Sequence, residues 1–186
     1  MSVLSLIFFA SLPFAAFGAQ RRATPESFQL YAYGDGLGGL PMFHADGYAY
    51  VGNPSSSNSS NAAEVMFSPG SDNTWFGSPN TTNLGNGTTP NWSNVTLFVP
   101  GPGSVDSRVG FLNGTNSSTS NVITSGFVFY GSTAMLLGDD GLETMWTGLA
   151  VGNTGVFAIY WNDTSSGQVP ISMRRVAPSN PSRRWS

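Results

Sequence analysis

The stretch GVFAIYW (155–161) decides the class of fold. Successive side chains of an extended chain alternate between two faces. Phe157, Ile159 and Trp161 therefore share one side, and Val156, Ala158 and Tyr160 share the other. Both sides are apolar, which marks a strand covered on both faces at the centre of a β-structure. Outward from it, short apolar or aromatic runs alternate with turn residues, the pattern of an all-β chain. The spacing predicts strands over 28–33, 48–52, 64–68, 94–99, 108–112, 121–124, 126–130, 133–137, 142–149, 155–161 and 169–176. No ten-residue segment places apolar residues at helical spacing.

Asp35-Gly36, Asp46-Gly47 and Asp140-Gly141 lie between such runs. Asp-Gly accepts the positive φ of a tight hairpin turn. Residues 53–63 and 77–93 are rich in Ser, Asn, Thr, Gly and Pro and are expected to be loops. Residues 28–47 and 127–141 share an order of aromatic strand, glycine and Asp-Gly turn, which reads as two similar hairpins. The expectation is a single β-sandwich of two mainly antiparallel sheets over residues 23–178. A closed β-barrel or a β-trefoil is the alternative.

Residues 3–17 (VLSLIFFASLPFAAF) carry no charge. That length suits the core of a secretory signal peptide and is short for a membrane span. Ala16 and Gly18 are small residues at −3 and −1 of a cleavage after Gly18. Residues 1–18 are thus read as signal peptide. Residues 19–22 are read as a short pro-segment, trimmed after Arg21-Arg22 to start the mature chain at Ala23. The tail, 179–186, has no core pattern, no lipid-anchor signal and no membrane anchor.

Only 9% of residues are charged and none is lysine. Beyond Arg22, five arginines face ten acids, a net charge of 5 − 10 = −5. No basic patch exists to neutralise phosphates, so nucleic acid is excluded as a partner. Eight N-x-S/T sequons compensate for the scarcity of charge: Asn58, Asn80, Asn86, Asn91, Asn94, Asn113, Asn116 and Asn162. Behind a signal peptide they are expected N-glycosylation sites in surface loops. The absence of cysteine removes disulfides, thiol catalysis and Cys-ligated metals.

FQLYAYGDGLGGLP (28–41), ADGYAYVG (45–52), GVFAIYWN (155–162) and VPISMRRVAPS (169–179) resemble the opening and closing segments of small, cysteine-free secreted glycoproteins of filamentous fungi. That resemblance implies a secreted protein, extracellular or associated with the cell wall. It carries over no catalytic residues.

The motifs that suggest chemistry were weighed against plainer roles. Gly34–Gly39 matches GxGxxG, but a β-run follows where a nucleotide-binding loop needs a helix. It is read as a glycine-rich hairpin or bulge. His44 is the sole histidine, no G-x-S-x-G elbow accompanies it, and one histidine cannot hold a catalytic zinc. No metal and no cofactor is expected. The lack of lysine excludes Schiff-base chemistry. Among the carboxylates, Asp139, Asp140 and Glu143 cluster at a turn, with Asp35, Asp46, Glu64 and Asp106 elsewhere. Glu143 and Asp140 are the candidates for a glycosidase pair, which needs two acids about 5 to 9.5 Å apart. Glu143 lies near Trp146, a candidate sugar contact. Tyr31 and Tyr33 share a face with Gln29 and are expected to be exposed. The main expectation is a non-catalytic extracellular protein that contacts polysaccharide through exposed Tyr31, Tyr33 and Trp146. A small carbohydrate-active hydrolase and a secreted interaction protein with a protein partner are the alternatives.

Overall fold

The computed structural model describes residues 27–84, 89–114 and 121–179. The expected signal peptide (1–18) and pro-segment (19–22), Asn86, Asn116 and residues 180–186 lie outside the described residues. The chain forms β1 (Tyr31–Gly34), β2 (Leu37–Ala45), β3 (Tyr48–Val51), β4 (Ala63–Pro69), β5 (Trp75–Pro79), β6 (Val95–Pro100) and β7 (Gly110–Leu112). It continues through β8 (Val122–Ile123), β9 (Phe127–Tyr130), β10 (Thr133–Gly138), β11 (Gly141–Glu143), β12 (Trp146–Ala150), β13 (Phe157–Trp161) and β14 (Val169–Arg174).

Ten antiparallel strands join in the order β1-β2-β4-β5-β6-β7-β3-β13-β12-β14. β14 then pairs back onto β1, from Tyr31↔Arg174 to Gly34↔Ile171, and closes the ring. The all-β fold is therefore the closed barrel, the alternative to the sandwich. Closure removes the free strand edges an open sheet exposes. β8 adds to β6. β9, β10 and β11 form a meander joined to the barrel through Thr133↔Arg174.

Local chemistry sets the tight corners. Asp46 and Gly47, both at positive φ (51° and 86°), turn β2 into β3. This is the primed turn whose twist matches its flanking strands. The GxGxxG segment is the β1–β2 hairpin, with a register shift between Ala32 and Tyr33, and no helix follows it. Residues 107–112 bridge a fork where β3 and β13 diverge. The Trp161 N–H donates to Ser107 O and the Val109 N–H to Ile159 O, each at 2.9 Å. On the other arm, the Ala49 N–H donates to Val109 O and the Phe111 N–H to Gly47 O. Gly110 permits this approach, because a Cβ there would meet Gly47 O at 2.6 Å.

The barrel interior holds Leu30, Met42, Val51, Val65, Phe67, Trp75, Leu97, Val109, Ile159, Trp161 and Met173 in one apolar cluster. Full burial of each large apolar side chain is worth about 1.5–3 kcal/mol. That core and its ladders hold the cysteine-free barrel. Phe157, Ile159 and Trp161 join the main cluster, whereas Val156 belongs to a second one with Phe43, Ala45, Ala62 and Tyr50. The two-faced reading of 155–161 is what the structure shows.

Several elements differ from the sequence expectation, β2 among them, since the strands predicted from spacing leave out 37–45. β5 (WFGSP) begins before and runs into the expected loop 77–93. Its Gly77 lies so close to Val65 that a Cβ would come within 2.7 Å of it. The expected strand 142–149 is two strands, β11 and β12. Glu143 completes the β10–β11 hairpin, while Trp146 turns into the core and donates its indole N–H to Ala134 O at 3.0 Å.

Candidate functional site

At the end of the barrel where β6 and β13 finish, a cavity of about 340 Å³ opens. β6 contributes Pro100, and the following turn contributes Gly101, Pro102, Gly103 and Ser104. Ile123, Met145, Trp161, Asn162, Ser107 and Glu143 complete the lining. Barrel mouths commonly hold small ligands, and a volume at the low end of ligand sites suits a compact one.

The 101–104 wall is fixed by hydrogen bonds. The Gly101 N–H donates to Asn121 O at 2.9 Å, and the Asn121 amide returns a bond to Pro102 O at 2.7 Å. The Ser104 N–H closes the turn on Gly101 O at 3.1 Å, and the Ser104 hydroxyl donates to Asp106 O at 3.0 Å. The Asn162 N–H is tied to Met145 O at 2.8 Å. Ser107 donates its hydroxyl to the Asp163 carboxylate. The Ser165 N–H donates to the same carboxylate at 2.9 Å, and Thr147 donates to Asp163 O at 2.7 Å. The Ser107 hydroxyl, followed by Ser165, holds the Asp163 carboxyl below the ordinary aspartate range. Asp163 is thus an ionised anchor for Ser107.

Glu143 is half-buried and is the one ionisable side chain in the lining. Its carboxylate lies against Gly138, where a Cβ would come within 2.5 Å of Oε1. The cavity therefore combines a carboxylate, an amide and serine hydroxyls with the indole of Trp161 and the apolar surfaces of Pro100, Ile123 and Met145. Such a lining suits a small polyhydroxylated molecule with one apolar face. It does not present the two facing acids that glycoside hydrolysis needs. Asp140 and Asp139 are exposed in the β10–β11 turn, outside the cavity lining.

The aromatic residues nominated from the sequence do not form an exposed strip. Trp146 is 1% exposed and Tyr31 is 8% exposed. The Tyr31 hydroxyl donates to Gln29 Oε1 at 3.0 Å. Tyr33 is half-buried, donates to Val176 O at 2.7 Å, and has the Arg174 guanidinium 5.5 Å from its ring. Ring closure contributes to the correction: β1 lies between β2 and β14, so Tyr31 has a cross-strand neighbour on each side, Pro41 and Arg174. Tyr48 and Tyr50 are also occupied. Arg108 lies 3.5 Å over the Tyr48 ring and 5.6 Å from Tyr50, whose hydroxyl accepts from it at 2.7 Å. Phe43 stacks on Tyr50 at 5.4 Å.

His44 is 5% exposed. Its Nε2 accepts the Gly47 N–H at 3.2 Å, and its ring lies 4.3 Å from Trp92 and 5.3 Å from Phe111. Nε2 as acceptor puts the proton of the neutral ring on Nδ1. Nδ1 is buried and has no hydrogen-bond partner among the described residues. Burial lowers the pKa to about 4, outweighing the attraction of Asp46. His44 is bonded to a turn amide and not to a serine, so it is not arranged as a triad base.

Trp161, Ser104 and Ser107 are lining residues that sequence reasoning missed, and Asn162 is read there only as a sequon. The signal available was PGPGS (100–104), a run stiff and tight enough to build a fixed wall. Among the described residues, no three His, Asp or Glu side chains converge as a metal site, and no helix is long and apolar enough to cross a membrane. No family, no curated protein and no solved structure matches this chain.

Proposed function

We propose that this is a secreted, N-glycosylated protein, extracellular or associated with a cell wall, that binds saccharide without transforming it. The observation that carries the reading is the cavity at the barrel end, lined by Ser104, Ser107, Asn162 and Glu143 beside the mostly buried Trp161. Aromatic surface beside polar groups suits a sugar, which has an apolar face and a rim of hydroxyls. A single lining carboxylate favours binding over hydrolysis.

The sequons fit an exported glycoprotein. Asn58, Asn91, Asn94, Asn113 and Asn162 are exposed, and Asn80 is half-buried. The five exposed asparagines are open to a bulky glycan, whereas the Asn80 side chain accepts the Thr82 N–H. Asn162 differs from the others because it lines the cavity, so a glycan there would cover the mouth. The fungal source rests on the resemblance of the terminal segments alone.

The test uses the secreted protein and insoluble chitin, β-glucan and cellulose, with pellet and supernatant both assayed. Thr164→Ala is included because it removes the Asn162 sequon and leaves Asn162 in place. Met145→Trp is included to fill the cavity from an exposed position. The expected result is protein in one pellet without released sugar, retained or strengthened in Thr164→Ala and lost in Met145→Trp. Sugar released in proportion to protein would make it a hydrolase. Retention on no polymer would overturn the reading in favour of a protein partner. Endoglycosidase treatment that left the electrophoretic mobility unchanged would remove the glycoprotein assignment.

A further inference from the structure

We infer that the Glu143 cavity selects an amino sugar carrying a free ammonium group over neutral and N-acetylated sugars; this rests on the saccharide-binding reading above. Glu143 is the sole ionisable side chain of the lining, and no cationic side chain lines the cavity with it. Among the described residues, none donates a hydrogen bond to its carboxylate or pairs with it as an ion. The contrast with other acids is direct. Glu64 accepts from Gln29 at 2.9 Å, Asp106 accepts from Tyr48 and from the Arg108 N–H, and Asp163 accepts from Ser107 and Ser165. Glu143 alone combines partial burial, a place in a ligand-sized cavity and an unmet acceptor capacity.

A half-buried carboxylate without a partner loses part of its hydration and regains nothing from the protein. A ligand ammonium restores that loss through a charge-assisted hydrogen bond, about twice as strong as a neutral one. The remaining lining also limits the choice of cation. Ser104 and Ser107, whose hydroxyls donate to Asp106 O and to Asp163, keep oxygen lone pairs that can accept from sugar hydroxyls, the exposed Asn162 amide can donate and accept, and Trp161 adds only the small part of its side chain that is not buried. A simple alkyl ammonium would use Glu143 alone and leave the remaining acceptor capacity of the lining unused. An amino sugar satisfies both sets.

Gly138 positions the carboxylate. A methyl group there would come within 2.5 Å of Glu143 Oε1, the far end of a flexible side chain. Gly138→Ala therefore moves the carboxylate while the hairpin stays folded, since Gly138 lacks positive φ. It is a positioning variant distinct from removal of the charge.

The experiment titrates the full secreted protein with the disaccharides of glucosamine, N-acetylglucosamine and glucose, and with an arginine-rich peptide. Amide and indole N–H shifts of Trp161, Ser104 and Asn162 report on the cavity itself and distinguish site binding from general attraction to a net-negative protein. Glucosamine disaccharide should bind about tenfold more tightly than the other two sugars, the factor expected for one hydrogen bond to a charged group. Glu143→Gln should erase that preference while keeping weak binding of all three sugars. Gly138→Ala should reduce it by several-fold.

Equal affinity for the three disaccharides, or a preference unchanged in Glu143→Gln, would overturn the amino-sugar inference and leave the saccharide reading intact. Cavity shifts with the arginine peptide and none with sugars would overturn both and make the cavity a site for a basic peptide. No cavity shift with any probe would also overturn both.

Discussion

Acidification should weaken this fold through His44, and the size of the effect follows from its surroundings. The ring is 5% exposed, accepts the Gly47 N–H, and lies against Trp92 and Phe111. Desolvation dominates, and the folded pKa is about 4 against an ordinary 6.5. Above pH 7 the ring is neutral in both folded and unfolded chains, so it contributes no pH dependence. Below 6.5 the unfolded chain binds a proton that the folded chain refuses until about pH 4. The unfolded state gains, and stability is lost across that window. The difference is 6.5 − 4 = 2.5 units, and at about 1.36 kcal/mol per unit it amounts to at most about 3 kcal/mol. The assay is urea unfolding between pH 7.5 and pH 4 for the native protein and for His44→Gln. A glutamine can still accept the Gly47 N–H and does not titrate. Its stability relative to the native protein should rise steadily by up to about 3 kcal/mol as pH falls. Taking the difference cancels the other groups, including Asp163, which resists protonation in the folded state and loses its contribution at more acid pH. Parallel stability curves for the two proteins would refute the argument. So would a histidine resonance titrating near pH 6.5 in the folded protein, an unambiguous measurement in a chain with one histidine.

Two further substitutions test how the barrel is sealed and closed. Trp92 is 5% exposed, donates its indole N–H to Asn61 O at 2.8 Å and covers His44. Trp92→Ala should cost about 3–5 kcal/mol in chemical denaturation, and by wetting His44 it should move the histidine titration upward from about 4. Gly110 lies where β7 meets β3, and a Cβ there would press on Gly47 O and the Phe98 ring. Gly110→Ala should cost about 1–3 kcal/mol, with faster amide exchange at Ala49 and Phe111, whose bonds cross that junction.

Much of the fold was legible because its signals are local. Alternation in 155–161, the Asp-Gly turns and the two-sided apolar character of β13 follow from backbone geometry and neighbouring side chains. They established an all-β chain, most of its strands and the β1–β2 and β9–β10 hairpins. The absence of cysteine and lysine, read directly, excluded whole classes of chemistry. Glu143 stood out in the sequence as half of a carboxylate pair beside a turn and Trp146; in the fold it lines the cavity without a second acid.

Tertiary structure decided the rest. Period-two alternation is the same in a sandwich and in a barrel, because each buries one face of every strand. Only the pairing of β14 with β1, nearly the whole domain apart in sequence, distinguishes the two. That long-range contact also sets Arg174 beside Tyr31, and the inward turn at Trp146 removes another nominated aromatic from the surface. The cavity is assembled from the end of β6 with the turn that follows it, held by Asn121, and from the ends of β11 and β13, three regions separated along the chain. His44 shows the same limit. Its polar sequence neighbours, Asp46 and Gly47, suggest exposure, whereas Trp92 and Phe111, remote in sequence, enclose the ring and set its charge.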